Sequence, residues 1–300
     1  MQGLETMLSV SQEYVYQRNV ALLKKYDENN YKIVYMKTCR RAGYEETGYR
    51  DKGKKNTAGN TAKLEESLSR TKSKVYELAI CNQWDYFVTF TLSPDGHDRK
   101  DLKGFKKQLT KWLNNLNFRQ KTNIKYLLIP EPHKDGSWHM HGLFSGIPQE
   151  WLVAFTLQDK LPYKVLKLLH AGRKIYNWPA YAKNFGYVTC ERILDKERCA
   201  KYIMKYITKE ICNRSIELNF HMYYCSHGLK RAKTLIKGHL SQSFEPDFFN
   251  DYVATKSFDS YEEALQYFID SNEENEPVTF SGLIENLQRR CDHWTPCLQT

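Results

Sequence analysis

The chain has 300 residues, 41% of them hydrophobic and 27% charged, and carries a net charge of +10. That composition belongs to a folded chain of one large or two modest domains and excludes a disordered or fibrous protein. No stretch approaches the ~18 apolar residues of a membrane span, and no basic segment leads into an apolar one at the N-terminus, so neither a membrane protein nor a secreted one is expected.

The charge is unevenly placed. Residues 1–80 hold 15 basic and 10 acidic side chains (net +5), residues 81–240 hold 27 and 13 (net +14), and residues 241–300 hold 3 and 12 (net −9). A basic middle with an acidic end points to a polyanionic partner for the middle, although a solvated Lys-rich surface has the same signature. The eight cysteines include no Cys-x-x-Cys pair and read as reduced, mostly buried thiols.

In chain order, the first eighty residues read as a mostly helical extension: a helix around 11–26, a strand over 31–37, a polar loop over 48–61 and a helix over 62–81. Gly48, Gly53 and Lys54 nearly spell a phosphate-binding loop. Lys55 stands where Ser or Thr must hold magnesium, and no apolar strand feeds the loop, so no nucleotide partner is expected.

From Trp84 the pattern changes. Tyr86, Val88, Phe90 and Leu92 alternate with Phe87, Thr89 and Thr91, which predicts a strand closed by Ser93-Pro94-Asp95-Gly96. Leu102, Phe105, Leu109, Trp112, Leu113 and Leu116 recur at helical spacing with lysines between them, an amphipathic helix with a basic outer face. Strands over 124–131 and 138–144 are joined by a turn containing Asp135-Gly136. A mainly helical insert over 148–184, a strand over 186–193, a helix over 196–211 and a strand over 221–229 follow. The order predicts an α+β domain over 81–240, a central antiparallel sheet with helices packed on one face. The acidic extension over 241–300 is expected to lie outside it, with two short helices around 260–270 and 281–291, the first opened by Ser260 and Glu263 as a capping box.

His139 and His141 lie two apart in a predicted strand, so both imidazoles face one side. Glu131 is the candidate third metal ligand. If the hairpin is centred on Asp135, Glu131 stands opposite His139 on the same face; a two-residue Asp-Gly turn would put it opposite Met140, on the wrong face. The metal reading therefore requires an odd-numbered loop with Gly136 in a left-handed conformation. One carboxylate and two imidazoles leave coordination positions open, which suits catalytic Mg²⁺ or Mn²⁺ better than structural zinc. Further on, Tyr202-x-x-Lys205-Tyr206-x-x-Lys209 is a rare overlapping double. On a helix it gives a basic face of Lys201, Lys205 and Lys209, two tyrosines at its edge, and an apolar face for the sheet. Boundary tyrosines with their hydroxyls in water fit the same spacing.

FVTFTLS, then Glu131 eight residues before His-hydrophobic-His, then the double Tyr-x-x-Lys on a later helix resembles the HUH-type rolling-circle replication initiators. The two-tyrosine branch of single-stranded DNA phages and plasmids is the nearest in motif order, and the resemblance spans about residues 84–230. It implies a metal-dependent endonuclease and strand transferase that nicks single-stranded DNA at an origin and keeps a 5′-phosphotyrosine link. Tyr202 and Tyr206 would be nucleophiles, and Lys205 and Lys209 would stabilise phenolate or the pentavalent phosphate. One Mg²⁺ or Mn²⁺ would be held by Glu131, His139 and His141. Lys201, Lys230, Arg231 and Lys233 would contact the DNA backbone. The resemblance also implies a bacterial host cytoplasm and host helicase, polymerase and single-strand-binding protein as partners. Three other readings use the same residues: a non-catalytic single-stranded nucleic-acid-binding protein, a single-tyrosine HUH transposase, and a hydrolytic metal nuclease that leaves no protein–DNA adduct.

Overall fold

Tyr86, Val88 and Phe90 are shut away from solvent while Phe87, Thr89 and Thr91 are half-buried, so the predicted alternation marks the middle of a sheet. The computed structural model describes residues 15–17, 19–37, 40–42, 61–208, 210–211, 220–240, 244–271 and 279–280. The chain divides into two compact units, one from Lys55–Ala232 and one drawn from both ends, Met1–Lys54 and Lys233–Thr300.

Strands β1 (Val15–Gln17), β2 (Val20–Asp27), β3 (Asn30–Met36) and β4 (Arg40–Ala42) come first, then α1 (Thr61–Cys81), β5 (Tyr86–Thr91) and α2 (Leu102–Gln120). The hairpin β6 (Lys125–Pro132) and β7 (Trp138–Ser145) precedes an insert of β8 (Val153–Ala154), α3 (Tyr163–His170), β9 (Ile175–Asn177) and α4 (Pro179–Asn184). Then come β10 (Val188–Arg192), α5 (Lys196–Ile203) and β11 (Tyr224–Cys225). The chain continues through β12 (Lys233–His239), β13 (Phe248–Phe249), β14 (Val253–Phe258), α6 (Tyr261–Asp270) and β15 (Thr279–Phe280).

In the 55–232 unit, seven antiparallel strands lie in the order β11-β6-β7-β5-β10-β9-β8. One face carries Val88, Phe90, Leu128, Met140 and Phe144 against Leu102, Phe105, Leu109 and Leu113 of α2, with Trp178 and Tyr181 closing the core. Full burial of each such aliphatic or aromatic side chain contributes about 1.5–3 kcal/mol. The Asp101 carboxylate caps α2 by accepting the Gly104 N–H at 2.9 Å, satisfying a donor that the first turn leaves unpaired.

The other face is apolar at one end and polar at the other. Leu127, Ile129 and Leu143 are buried there, and α1 packs against both α5 and β6. The α+β antiparallel reading holds; helices cover both faces of the sheet rather than one, because this apolar half also needs a cover. The helix expected over 196–211 ends at Ile203 and tightens into a 3₁₀ turn over Met204–Tyr206, and the strand expected over 221–229 pairs with β6 only at Tyr224 and Cys225. The insert is mixed, with two short strands beside its helices.

The terminal unit holds a six-stranded antiparallel sheet, β13-β14-β3-β2-β12-β15. Here the reading of residues 11–26 as helix and of 1–80 as mostly helical is corrected: residues 20–27 are the strand β2, paired with β3 and β12. Val20-Ala21-Leu22-Leu23 suits either period, and the pairing of Leu23 with both Ile33 and Ile236 decides for the strand. Ala21, Leu23, Ile33, Ile236 and Ala254 share one core with Ala264 and Phe268 of α6. The acidic end is thus not purely helical, since β14 pairs with β3 across residues 31–36. Its first expected helix is α6, whose Ser260 hydroxyl accepts the Glu263 N–H at 3.1 Å. The second, around 281–291, lies outside the described residues, as does the loop over 48–60.

Candidate functional site

The register of β6, β7 and β5 writes the polar end of the sheet face in three rows. Leu127, Leu143 and Phe87 form the first, Ile129, His141 and Thr89 the second, and Glu131, His139 and Thr91 the third. Every strand turns from apolar to polar in the same direction. Glu131 stands directly opposite His139 because the hairpin loop spans the five residues between Pro132 and Trp138, centred on Asp135. The Asp135 carboxylate accepts the Ser137 N–H at 2.9 Å and its hydroxyl at 2.6 Å, and Gly136 takes φ +83°. A side chain at that backbone conformation would be strained. The loop is therefore odd-numbered with a left-handed glycine, the geometry that keeps Glu131 on the histidine face.

Within the rows, Glu131 Oε2 lies 2.7 Å from His141 Nε2. The hydrogen bond from His141 holds Glu131 below the usual carboxylate range, against the opposing effect of burial. The His139 and His141 rings are nearly parallel, 13° apart with centroids at 6.5 Å, and His133 stacks on His139 at 4.7 Å. Burial, then the neighbouring histidines, lowers His139 to about 4, so it is neutral at pH 7 with a lone pair to offer. The two imidazoles also touch β5: Thr89 Oγ1 is 3.1 Å from His141 Nδ1, and Thr91 Oγ1 is 3.1 Å from His139 Nδ1.

Among the described residues, no three His, Cys, Asp or Glu side chains are gathered closely enough to hold a metal ion as they stand. Glu131, His139 and His141 nonetheless share one face, and their donor chemistry, one carboxylate and two neutral imidazoles, fits a divalent cation.

Above the second row lie the tyrosines. Tyr206, on the 3₁₀ turn, stacks on His141 with centroids 3.8 Å apart and 16° between planes. Its hydroxyl donates to that of Tyr202 at 3.1 Å. Phe87 fills the space beneath, 5.3 Å from Tyr202 and 6.3 Å from Tyr206. Burial, then the hydrogen bond with Tyr202, raises the Tyr206 phenol well above its ordinary value, so it is protonated at rest. Tyr202 is 43% exposed, and Lys205 Nζ sits 4.8 Å over its ring, its charge on the aromatic face rather than at the hydroxyl. Ile203 and Ile207 are buried, which anchors the tyrosine-bearing turn.

The remaining expected residues are spread more widely. Lys201 pairs with Glu197 at 3.6 Å on the exposed side of α5. Lys209 lies outside the described residues. Lys230, after β11, exchanges backbone hydrogen bonds with the Asn82 side chain, and Arg231 follows it. Lys233 opens β12 opposite Lys25 and so belongs to the terminal unit. Thr89, Thr91 and Phe87 are legible in the sequence as one strand face, but nothing local in FVTFTLS says that this face meets the histidines. His97 lies at the Asn184 carbonyl, 3.0 Å away, and His227 in a turn whose carbonyl accepts from Lys125.

No described helix is long and apolar enough to cross a membrane. Comparison with curated proteins and with solved structures returns no match. Residues 85–211, less than half of the chain but spanning β5 through the double tyrosine motif, match a family of replication-associated proteins of the ORF2 type, which supports a replication-initiator role acting on DNA.

Proposed function

We propose that the 55–232 unit is a rolling-circle replication initiator of the HUH type, which nicks and rejoins single-stranded DNA through a tyrosine–5′-phosphate link. The reading rests on one observation: Tyr206 lies flat on His141, His141 is hydrogen-bonded to Glu131, and the Tyr202 hydroxyl is 3.1 Å from that of Tyr206. Two potential nucleophiles thus stand over a potential metal-binding face.

Glu131, His139 and His141 would hold Mg²⁺ or Mn²⁺, which when bound polarises a scissile phosphate and neutralises charge on its non-bridging oxygens. Tyr206 Oη attacks phosphorus; the new tyrosyl oxygen–phosphorus bond forms as the bond to the 3′ oxygen breaks. The phenol proton ends on that 3′ oxygen, which leaves as a hydroxyl able to prime synthesis. The bond energy is kept in the phosphotyrosine, so no nucleotide is consumed. Tyr206 makes the first cut because it lies against the histidines. Tyr202, exposed and within hydrogen-bond reach, makes the second, and the released 3′-hydroxyl then attacks the first link and closes the circle. Lys205 and Lys209 offset charge on the phosphate, and Lys201, Lys230 and Arg231 serve the DNA backbone. A bacterial host cytoplasm and the host helicase, polymerase and single-strand-binding protein complete the reading.

The test is a denaturing gel of the full chain incubated with Mn²⁺ and a labelled single-stranded origin library. A covalent protein–DNA band that disappears with chelator is expected. Cleavage without a band would leave a hydrolytic nuclease, and binding without cleavage a non-catalytic module.

A further inference from the structure

Two side chains to which the mechanism above gives no part make the same contact twice. Antiparallel pairing of β5 with β7 sets Thr89 opposite His141 and Thr91 opposite His139, and in both pairs the hydroxyl oxygen lies 3.1 Å from Nδ1. An imidazole has two nitrogens, so a partner at Nδ1 leaves Nε2 as the atom for a ligand. In His141 that atom already faces Glu131, 2.7 Å away.

We propose that Thr89 and Thr91 are positioning residues that anchor His141 and His139 by their Nδ1 atoms, so that both Nε2 atoms are presented to the divalent cation. The inference rests on the reading of Glu131, His139 and His141 as its donors.

A hydroxyl suits both protonation states of the ring. An ionised carboxylate only accepts hydrogen bonds, so while His141 is bonded to Glu131 its proton stands on Nε2 and its Nδ1 accepts from the Thr89 hydroxyl. With a cation at Nε2 the proton must stand on Nδ1, where it is donated to Thr89 Oγ1 and the threonine's own hydrogen turns away. The imidazole stays neutral throughout: one proton leaves Nε2 to solvent, and one is taken up at Nδ1. A backbone carbonyl or a carboxylate at this position accepts only and serves the second state alone. A hydroxyl serves both, and the ring need not move between them. Strand propensity alone does not call for a hydroxyl, since valine has the same shape and fits a half-buried strand at least as well.

The experiment uses the full chain with Thr89→Val, Thr91→Val and the double variant, and Thr89→Ser and Thr91→Ser as rescues that keep the hydroxyl. Mn²⁺ affinity is read by electron paramagnetic resonance of the free ion, and the imidazole nitrogens by ¹⁵N NMR of the metal-free protein. Each valine variant is expected to bind Mn²⁺ about 10–100-fold more weakly with an unchanged melting temperature, and serine to restore binding. In the metal-free spectra, Thr89→Val should shift the His141 nitrogens and Thr91→Val those of His139. Valine variants that bind Mn²⁺ as the native chain does overturn the proposal. If the native chain binds no Mn²⁺, the metal reading fails, and the spectra decide the anchoring: unaltered imidazole signals in the valine variants overturn it, and shifts reversed by serine sustain it.

Discussion

The two units of this chain are both antiparallel sheets with helices, yet they are assembled in opposite ways. In the 55–232 unit the central strands β5, β6 and β7 lie within sixty residues of one another, and β6 and β7 are joined by a five-residue loop. The terminal unit pairs β3 with β14, elements separated in sequence by the whole of the other unit. In the first, one sheet face turns polar and gathers a carboxylate, two buried or half-buried imidazoles and two tyrosines. In the second, the described core is apolar, built from side chains such as Leu23, Ile33 and Phe268. The candidate site sits where neighbouring segments supply register cheaply; the long-range sheet supplies packing.

The sharpest way to break this contrast is to disarm the site and leave the packing alone. Tyr202→Phe with Tyr206→Phe should abolish the covalent DNA adduct on a denaturing gel while the melting curve stays put. Of the single variants, Tyr206→Phe should lose most of the first cut, and Tyr202→Phe should keep it but lose circle closure in a strand-transfer assay. Full multi-round transfer by monomeric Tyr206→Phe would reduce Tyr206 to a packing residue.

Next in size, His139→Ala with His141→Ala should remove Mn²⁺ binding measured by calorimetry. The fold should persist, because the apolar half of that face, Leu127, Ile129 and Leu143, is untouched. Unchanged affinity would move the metal site elsewhere.

The converse experiment strikes the packing and spares the site. Phe268 is fully buried in the terminal core, so Phe268→Ala should cost that unit about 3–5 kcal/mol in urea unfolding. Adduct formation under native conditions should be unchanged; a parallel loss of nicking would mean that the two units do not act separately.

The smallest expected effect is at the cap of α6. Ser260→Ala removes the acceptor for the Glu263 N–H and should cost about 1 kcal/mol, read as a small shift in the same urea transition.

Much of the 55–232 unit is legible in the sequence, for reasons particular to its residues. The period-two pattern of 86–91 needs only local sterics, as does the helical spacing of Leu102, Phe105, Leu109 and Leu113. The His-x-His pair shares a face on any strand. What the spacing leaves open is the hairpin loop, whose register follows from the hydrogen bonds of Asp135 to Ser137 and the left-handed Gly136. The end of the tyrosine helix is not legible, because Lys201–Ile211 keeps a helical pattern in sequence while the backbone tightens at Met204. The terminal sheet is hidden for another reason: Val20–Leu23 is apolar at every position and has no period of its own.

The sequence by itself determined which residue types could meet: paired histidines on one strand face, an acid eight residues before them, two tyrosines one turn apart, and a basic middle against an acidic end. Side-chain direction follows from backbone periodicity, which is local. Only the tertiary structure decided that Tyr206 rather than Tyr202 lies on His141, that Thr89 and Thr91 meet the imidazoles from β5, and that residues 20–36 form a sheet with residues 233–258. Each of these depends on contacts between segments far apart in the chain, and no local preference encodes them.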